Sequence, residues 1–486
     1  MVESVFTELT GDNPGVHRRF HEGIKVHMVG IGGISMSGLS EILLHHGVKI
    51  TGSDFSQSDI TKELQKKGVL VYPDHSGSNI TDQDLVVYTA AVSQDNPELV
   101  EARRKGIPVI ERADLLGFIM DQYAKAIAIS GTHGKTTTTS MISAITIEAG
   151  LDPTIQVGGI LDIIGGNTRI GSGDYFVAEA CEYKGSFLKF RPSVAIVLNI
   201  EADHLDYYKD VNHIRSAFED FLSNVRYPGS IILNKDDPQT RTLAKSLTRP
   251  FITYGINEQD VDFEARNITY VNGCAEFTVF HKKSEWGKIK LSVPGQHNVS
   301  NAMAAIAASH VMGISHTAVR KGLERFRGTH RRQENKGTPH GVRIMDDYAH
   351  HPTEIQATLS AVRALTSGKL ICVFQPHTYT RTHELLDDFA RSFAQADTVV
   401  VTDIYAAREK DTGLIHSRTL TDRINTQTGN ALYLSDFSDI TAFLTEHASP
   451  GDLVITLGAG NVYKICDLLI EALNEDYVRV PAEAPA

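Results

Sequence analysis

The size and charge of the chain exclude several classes of protein. Its 486 residues exceed the usual size of a single domain, so we expect two to four domains. The formal net charge of −12 argues against general binding to nucleic acid or to an anionic membrane surface. The opening MVESVFTELT lacks the pattern of a signal peptide, and no run approaches about 18 apolar residues. We therefore predict a cytoplasmic protein without membrane insertion, whose four scattered cysteines form neither disulfides nor a zinc site.

The first predicted segment, residues 1–115, begins with a βαβ unit that presents a glycine turn to an anion. An apolar strand at Ile24–Val29 leads into Gly30–Gly33, and helical periodicity follows over Met36–His46. A second strand ends at Ser53–Asp54, roughly where the acidic residue of a Rossmann fold contacts a ribose. Ser35 stands at the sixth position of the glycine fingerprint, which disfavours NAD(P) and favours another nucleotide diphosphate. The candidate residues of this nucleotide site are Gly30, Ile31, Gly32, Gly33, Ser53 and Asp54.

The second predicted segment, residues 116–327, contains a phosphate loop with a displaced first glycine. In SGTHGKTTTT the end of the pattern G-x-x-x-x-G-K-[ST] stands at Gly134–Thr136, but Ile129 occupies the position of its first glycine. Gly131 supplies a glycine two residues later, which makes the loop tighter. A strand at Ala126–Ile129 precedes the loop and a helix follows it, as a phosphate loop requires. The candidate phosphate-binding residues are Gly131, Thr132, His133, Gly134, Lys135, Thr136 and Thr137.

Acidic residues and a histidine follow two apolar strands of the second segment. The residues after the first strand are Glu179 and Glu182, and those after the second are Glu201, Asp203, His204 and Asp206. Thr136 offers a hydroxyl to Mg²⁺, Glu179 a carboxylate of the Walker-B kind, and His204 a second ligand or a base. Taken singly, Glu179 could equally be a solvated strand end and His204 a surface histidine. Later in the segment, alternation over Glu264–Phe280 and Lys288–Val293 predicts antiparallel hairpins, and PGQHNVSNAMAA predicts a helix that begins near His297, Asn298 and Asn301.

The third predicted segment, residues 328–486, alternates strands with helices and places polar residues after the strand ends. Ligands bind at the carboxyl ends of the strands in open α/β sheets. Arg331 or Arg332 could reach a γ-phosphate, and the acidic pair Asp346–Asp347 could accept hydrogen bonds from a ribose. His377 and Arg381 could hold a carboxylate, because the guanidinium group binds it with two parallel hydrogen bonds.

Taken together, these motifs resemble those of the Mur ligases of bacterial peptidoglycan synthesis. GIGGISMSG, GTHGKTTT, EACEYKGSF, NIEADHLDYY, GQHNVSNAMAA, DDYAHHPTE and FQPHTYTRT follow one another in the family's order. The displaced first glycine is itself a feature of this superfamily. The resemblance implies an α/β protein of three domains: a Rossmann-like UDP-binding domain, a central ATPase domain with a parallel and a small antiparallel sheet, and a Rossmann-like C-terminal domain that binds the amino acid.

The resemblance also implies roles for individual residues. In the ATP site, Lys135 and Arg331 hold phosphates, Asn298 the adenine and Asp347 the ribose, while Thr136, Glu179 and His204 hold Mg²⁺. Lys135, His204 and Arg331 are the implied catalytic residues. The implied amino-acid site consists of Tyr348, His350, His377 and Arg381. Some family members carry an additional Arg where this chain has Thr378.

The implied activity is ATP-dependent ligation of L-alanine to the lactyl carboxylate of UDP-N-acetylmuramate through an acyl phosphate. The product is a peptidoglycan precursor, on which cell wall growth, cell shape and division depend. The nearest alternative is a recycling ligase that attaches a tripeptide to the same nucleotide sugar, although QPHTYTRT favours the alanine reaction. Folylpolyglutamate synthases lack the UDP domain. A nucleotide-sugar oxidoreductase would leave Lys135 and Glu179 unexplained, and the phosphate and metal residues argue against a non-catalytic regulator. The sequence does not predict an oligomeric state.

Overall fold

The strands of the protein form three separate sheets, one for each predicted segment. The computed structural model describes Phe6 and residues 23–205, 207–407 and 409–479, with the backbone alone at 476–479. Asp206, one of the strand-end acids, lies outside the described residues. Three sheets of five, ten and six strands confirm the predicted α/β class with three domains. The boundaries at 115/116 and 327/328 stay predictions.

The N-terminal sheet is parallel throughout, with the strand order β3-β2-β1-β4-β5. Its strands are β1 (Lys25–Val29), β2 (Lys49–Ser53), β3 (Leu70–Tyr72), β4 (Leu85–Tyr88) and β5 (Val109–Glu111). Its helices are α1 (Ile34–His45), α2 (Asp59–Lys66), α3 (Pro97–Arg104) and α4 (Arg112–Asp121). The order reverses between β1 and β4, and such a switch point opens a crevice at the carboxyl ends of the strands.

The central sheet has the order β15-β14-β13-β12-β11-β10-β6-β9-β7-β8. Its strands are β6 (Lys125–Ser130), β7 (Thr154–Leu161), β8 (Gly166–Arg169), β9 (Tyr175–Glu179), β10 (Val194–Val197), β11 (Ser230–Asn234), β12 (Ile252–Gly255), β13 (Phe263–Val271), β14 (Cys274–His281) and β15 (Ser284–Pro294). Its helices are α5 (Lys135–Glu148), α6 (Val211–Ser223), α7 (Pro238–Ala244), α8 (Gln296–Val311) and α9 (His316–Arg325).

The predicted antiparallel hairpins form β13, β14 and β15, and they extend the parallel sheet. Tyr254 and Gly255 at the end of β12 pair in parallel with Phe263 and Glu264 of β13. From β13 onward the pairing is antiparallel. The hydrogen-bond ladder therefore runs without a break from the strand before the phosphate loop to the hairpins.

The C-terminal sheet has the order β16-β17-β21-β18-β19-β20, and only the edge strand β16 is antiparallel. Its strands are β16 (Glu334–Gly337), β17 (Arg343–Asp347), β18 (Leu370–Phe374), β19 (Thr398–Val401), β20 (Ala431–Tyr433) and β21 (Leu453–Leu457). Its helices are α10 (Pro352–Arg363), α11 (Tyr379–Glu384), α12 (Leu386–Ala390), α13 (Ser417–Asn425), α14 (Phe437–His447) and α15 (Lys464–Arg479).

The apolar cores join the first two units but not the third. One cluster of buried side chains runs from Val26 and Leu116 of the N-terminal unit to Phe187 and Phe221 of the central unit. The C-terminal unit packs its sheet between two clusters made only of its own residues. Within the described part of the chain, no helix has the length and apolar character needed to cross a membrane.

Candidate active site

The phosphate loop lies between β6 and α5, and its two glycines are required by its conformation. Gly131 has φ 137° and Gly134 has φ 84°, a region that favours glycine. A Cβ on Gly134 would lie 2.6 Å from Asn301 Oδ1, and one on Gly131 would lie 3.1 Å from Asn199 N. The displaced first glycine is therefore the one that lets the backbone pass close to the end of β10.

The side chain of Asn199 fixes the loop from this side. His133 N donates to Asn199 Oδ1 over 2.8 Å, and Asn199 Nδ2 donates to His133 O over 3.1 Å. Sequence reasoning missed this residue, although its position directly after an apolar strand was a signal. Thr132 N also donates to Asn199 O, so Asn199 holds the middle of the loop against the end of β10.

Lys135 is paired with a carboxylate that the sequence did not single out for it. Its Nζ donates to Glu182 Oε2 over 3.0 Å and Oε1 over 3.1 Å, and also to the carbonyl of Thr132. Burial alone would lower the pKa of Lys135, but the Glu182 carboxylate outweighs burial and raises it. The lysine is therefore held as a cation over the loop.

The three predicted metal ligands lie around the same end of the central sheet. Thr136 is buried in the first turn of α5, and Glu179 ends β9 and accepts from Gly158 N. A Cβ on the adjacent Gly159 would lie 3.4 Å from Thr136 Cγ2, so β7 passes close to both residues. His204 Nε2 lies 3.8 Å from Glu182 Oε1, and burial lowers the pKa of His204, which leaves it neutral. A hydroxyl, carboxylates and a neutral imidazole form a donor set that fits Mg²⁺ beside a phosphate.

A cavity of about 670 Å³ opens beside the loop, between the central and C-terminal units. Its lining includes His133, Gly134, Cys274, Val293, His297, Asn298, Asn301, Arg332 and Asp347. Asn298 is buried, and its Nδ2 donates to Pro294 O over 2.7 Å. Asp347 accepts from Gln333 N over 2.8 Å and Ala349 N over 2.7 Å. Burial raises the pKa of Asp347 to about 6.

The two adjacent arginines point to different places. Arg331 Nε donates to Asp346 Oδ2 over 3.1 Å, its Nη2 donates to Gly458 O over 2.6 Å, and the guanidinium covers the Tyr348 ring. The Arg332 guanidinium also lies over the Tyr348 ring, but Arg332 lines the large cavity together with His133 and Gly134, and Arg331 is absent from that lining. Which of the two arginines serves the γ-phosphate stays a prediction.

A second cavity of about 200 Å³ contains the whole predicted amino-acid site. Its lining includes Tyr348, His350, His377 and Arg381 together with Asp203, His204 and Thr378. Arg381 Nη2 donates to Asp203 Oδ1 over 2.9 Å, and Arg381 Nη1 lies 3.0 Å from His377 Nδ1. Burial alone would raise the pKa of Asp203, but Arg381 lowers it well below its ordinary value. Burial also lowers the pKa of His350 to about 3, so this ring is neutral.

The predicted nucleotide-sugar residues meet at the carboxyl ends of β1 and β2. Gly30 and Ile31 both donate backbone N–H groups to Ser53 O, and Gly32 N donates to Asp54 Oδ2 over 2.9 Å. Gly33 precedes the first turn of α1. The Ser53 side chain is buried and donates to Glu98 Oε2 over 2.6 Å, so it supports the turn from within.

Arg112 adds a cation to this turn that sequence reasoning missed. Its Nη1 donates to Ser35 Oγ over 2.9 Å across the first unit, at the N-terminus of α4. No local motif marks this arginine, because only the fold brings it to the glycine turn. The amides of Gly30–Gly33 already donate within the protein, so the amides offered to an anion are those of the first turn of α1, beside Ser35. A cation next to a helix N-terminus is an arrangement that binds a diphosphate.

Comparison with known proteins agrees with this arrangement. The family model described as Mur ligase family, catalytic domain, matches residues 25–124, the Mur ligase middle domain matches residues 129–309, and the model described as Mur ligase, glutamate ligase domain, matches residues 331–460. The UDP-N-acetylmuramate–L-alanine ligase of Acetivibrio thermocellus is 54% identical over 447 residues, covering 92% of this chain and 95% of the relative. The chain belongs to the Mur ligase family. The Clostridium tetani ligase of the same name is 51% identical, covering 92% of this chain and 98% of the relative.

Two solved structures show how far the similarity extends. A UDP-N-acetylmuramate–alanine ligase from Thermotoga maritima superposes with a TM-score of 0.80 at 29% identity, covering 93% of this chain and 100% of that chain. A murein peptide ligase from Psychrobacter arcticus superposes with a TM-score of 0.70 at 27% identity, covering 93% of this chain and 99% of that chain.

This Mur ligase places its phosphate loop between the two cavities. His133 and Gly134 line the large cavity, whereas Lys135 pairs with Glu182 next to His204, which lines the small one. A nucleotide in the large cavity and a small molecule in the second would therefore meet at Lys135.

Proposed function

We propose that the protein is an ATP-dependent ligase that joins L-alanine to the lactyl carboxylate of UDP-N-acetylmuramate. The observation that carries this proposal is the adjacency of the Lys135–Glu182 pair, His204 and the cavity of Arg381 and His377. The names of the similar ligases support the choice of substrates. The reaction would take place in the cytoplasm as a step of peptidoglycan precursor synthesis.

The first step activates a carboxylate. A lactyl carboxylate oxygen attacks the γ-phosphorus of ATP, the new C–O–P linkage forms, and the bond from that phosphorus to ADP breaks. Two anions approach each other in this step, so their charge must be neutralised. Lys135 supplies a fixed cation at the loop, and Arg332 lines the large cavity beside His133 and Gly134. Thr136, Glu179 and His204 would hold Mg²⁺, which when bound adds further positive charge at the phosphates.

The second step requires an amine that has lost its proton. The free amine attacks the acyl carbon, and the tetrahedral intermediate expels phosphate and forms the amide bond. An α-amino group has a pKa of about 8 in water, so deprotonation must precede the attack. In the small cavity, Arg381 is complementary to the carboxylate of the amino acid and Asp203 to its ammonium group. Tyr348, His350 and His377 complete the walls.

The small cavity has the room and the charges for a single amino acid. Its volume of about 200 Å³, bordered by aromatic rings and the Arg381–Asp203 ion pair, accommodates alanine. The tripeptide ligase nevertheless remains the alternative, because a murein peptide ligase shares the fold. Binding of a reduced nicotinamide cofactor would instead support the nucleotide-sugar oxidoreductase.

The test is phosphate release with ATP, Mg²⁺ and UDP-N-acetylmuramate, with L-alanine, the stem tripeptide or no acceptor. We expect release that depends on L-alanine and is lost in Lys135→Ala. Release only with the tripeptide would move the chain to the recycling reaction. The absence of release with every acceptor would overturn the proposal.

A further inference from the structure

Three side chains able to ligate a metal meet beside the phosphate loop. They are His133 of the loop, Glu201 after β10, and His351, which caps the N-terminus of α10. One ligand atom from each lies within 4.8 Å of the others, and the described residues contain no second group of this kind. His133 and Glu201 belong to the central unit and His351 to the C-terminal unit, so the cluster spans the junction between them.

Two buried nitrogen atoms in this cluster lack hydrogen-bond partners. They are Nε2 of His133 and Nε2 of His351, and His351 is only 5% exposed. His133 Nε2 lies 3.5 Å from Glu201 Oε2 without hydrogen-bond geometry, and the two imidazole rings are 4.7 Å apart. A buried polar atom without a partner is destabilising, so two in one place point to a ligand. For Nε2 of His351 to ligate a metal, its proton must move to Nδ1, and the 3.4 Å contact from Thr353 N is then given up.

The surrounding residues orient the cluster as the outer shell of a metal site does. Glu354 Oε1 lies 3.1 Å from His133 Nδ1, and Thr353 Oγ1 donates to Glu201 Oε2 over 2.6 Å. A carboxylate at Nδ1 fixes the proton on that atom and directs Nε2 toward a metal.

We propose that His133, Glu201 and His351 form a binding site for Zn²⁺ or a similar transition metal that joins the phosphate loop to the C-terminal unit. Two imidazoles and a carboxylate suit a borderline metal rather than Mg²⁺, and they leave one position open for water. Ligands about 2.0–2.1 Å from Zn²⁺ in a tetrahedron lie roughly 3.3 Å apart, so the ligand atoms, now within 4.8 Å of one another, approach by up to about 1.5 Å on binding. These residues differ from the Mg²⁺ ligands of the proposed function, and the site does not depend on that function.

The test is a titration of the full-length protein with Zn²⁺ against a competing chelator, in excess Mg²⁺ and without nucleotide. We expect one tight site in the wild type and an affinity at least tenfold weaker in His351→Asn. Asparagine retains the capping of α10, because it is a favoured N-cap residue. The matched control is His416→Asn, which replaces the exposed N-cap histidine of α13, whose side chain accepts from Arg418 N over 3.1 Å. The control should bind Zn²⁺ as the wild type does.

Two further variants keep the result decisive. Glu201→Gln removes the carboxylate without touching a cap, and it should weaken binding as His351→Asn does, with an unchanged far-ultraviolet circular dichroism spectrum. His204→Gln removes a proposed Mg²⁺ ligand and should retain the tight Zn²⁺ site. Wild-type affinity in both His351→Asn and Glu201→Gln, or loss of the site in His204→Gln, would overturn the proposal.

Discussion

The two junctions of the central unit differ in the forces that hold them. Against the N-terminal unit it shares a continuous apolar core, in which Leu116 and Phe187 belong to one cluster. Against the C-terminal unit it presents hydrogen bonds and ion pairs, among them Thr353 to Glu201 and Arg381 to Asp203. Apolar burial is not directional and does not depend on ligands, whereas charged contacts change with protonation and with bound anions. The C-terminal unit is therefore the one that we expect to move when substrates bind.

The largest effect is expected from breaking the ion pair that joins the central and C-terminal units at the small cavity. Arg381→Ala leaves the buried Asp203 carboxylate without its partner, which costs about 3–5 kcal/mol when the pair is buried. We expect L-alanine-dependent phosphate release to fall by more than a hundredfold. The control is Arg423→Ala, which loses an exposed pair with Asp387 and should change activity little. Equal losses in both variants would contradict a special role for Arg381.

The apolar contact between the N-terminal and central units can be weakened by adding a single methyl group. A Cβ on Gly117 of α4 would collide with the carbonyl oxygen of Lys189 in the central unit. We expect Gly117→Ala to lower the free energy of unfolding by about 1–3 kcal/mol, as overpacking does. Urea unfolding followed by circular dichroism measures this change. Gly166→Ala, where the added methyl group meets open space, is the control and should lie close to the wild type.

A smaller effect is expected where the loop is held by hydrogen bonds alone. Asn199→Ala removes both bonds to the backbone of His133. Because each such bond contributes about 1 kcal/mol, we expect ATP binding to weaken by up to about thirtyfold, as measured by calorimetry. Asn212→Ala loses only an exposed bond to Arg215 and should bind ATP normally. Unchanged ATP affinity in Asn199→Ala would mean that Gly131 and Gly134 alone determine the conformation of the loop.

Nucleotide affinity should also depend on pH, because Asp347 lines the large cavity. Its carboxyl has a pKa of about 6, so it is ionised above that pH and protonated below it. If the ionised form accepts hydrogen bonds from the nucleotide, affinity should fall about tenfold between pH 7 and pH 5, since only about a tenth is ionised one unit below the pKa. Asp347→Asn should remove this step. If the affinity of Asp347→Asn falls with pH as that of the wild type does, the pH dependence belongs to another group.

The sequence was most informative where function depends on local chain geometry. Glycine turns, strand ends and helix starts are short-range patterns, so it predicted the phosphate loop, the three α/β segments and the grouping of His377 with Arg381. That the antiparallel hairpins continue the central parallel sheet, and do not form a small sheet of their own, was not predicted. Partners that meet only through the fold were not predictable. Lys135 follows β6 and pairs with Glu182, which follows the neighbouring strand β9. Arg112, at the start of α4, donates to Ser35 in α1.

The choice between Arg331 and Arg332 shows a second limit of prediction from the sequence. Adjacent residues of an extended segment point in opposite directions, and a change of one residue in register exchanges them. Here Arg331 has φ 60°, which departs from both helix and strand. No sequence pattern predicts such a conformation at an arginine, so its direction toward Asp346 became evident only in three dimensions.

The unbroken ladder from β6 to β15 has a consequence for the shape of the nucleotide cavity. Six steps separate these strands in the sheet, and neighbouring strands rotate by about 20–25°, so β15 is turned by roughly 120–150° relative to β6. The twist carries Cys274 and Val293 round to the cavity that His133 opens on the other side. If ATP binds in this cavity as proposed, the wall beside its base and the loop beside its phosphates belong to one continuous sheet, so the twist of that sheet determines the distance between them.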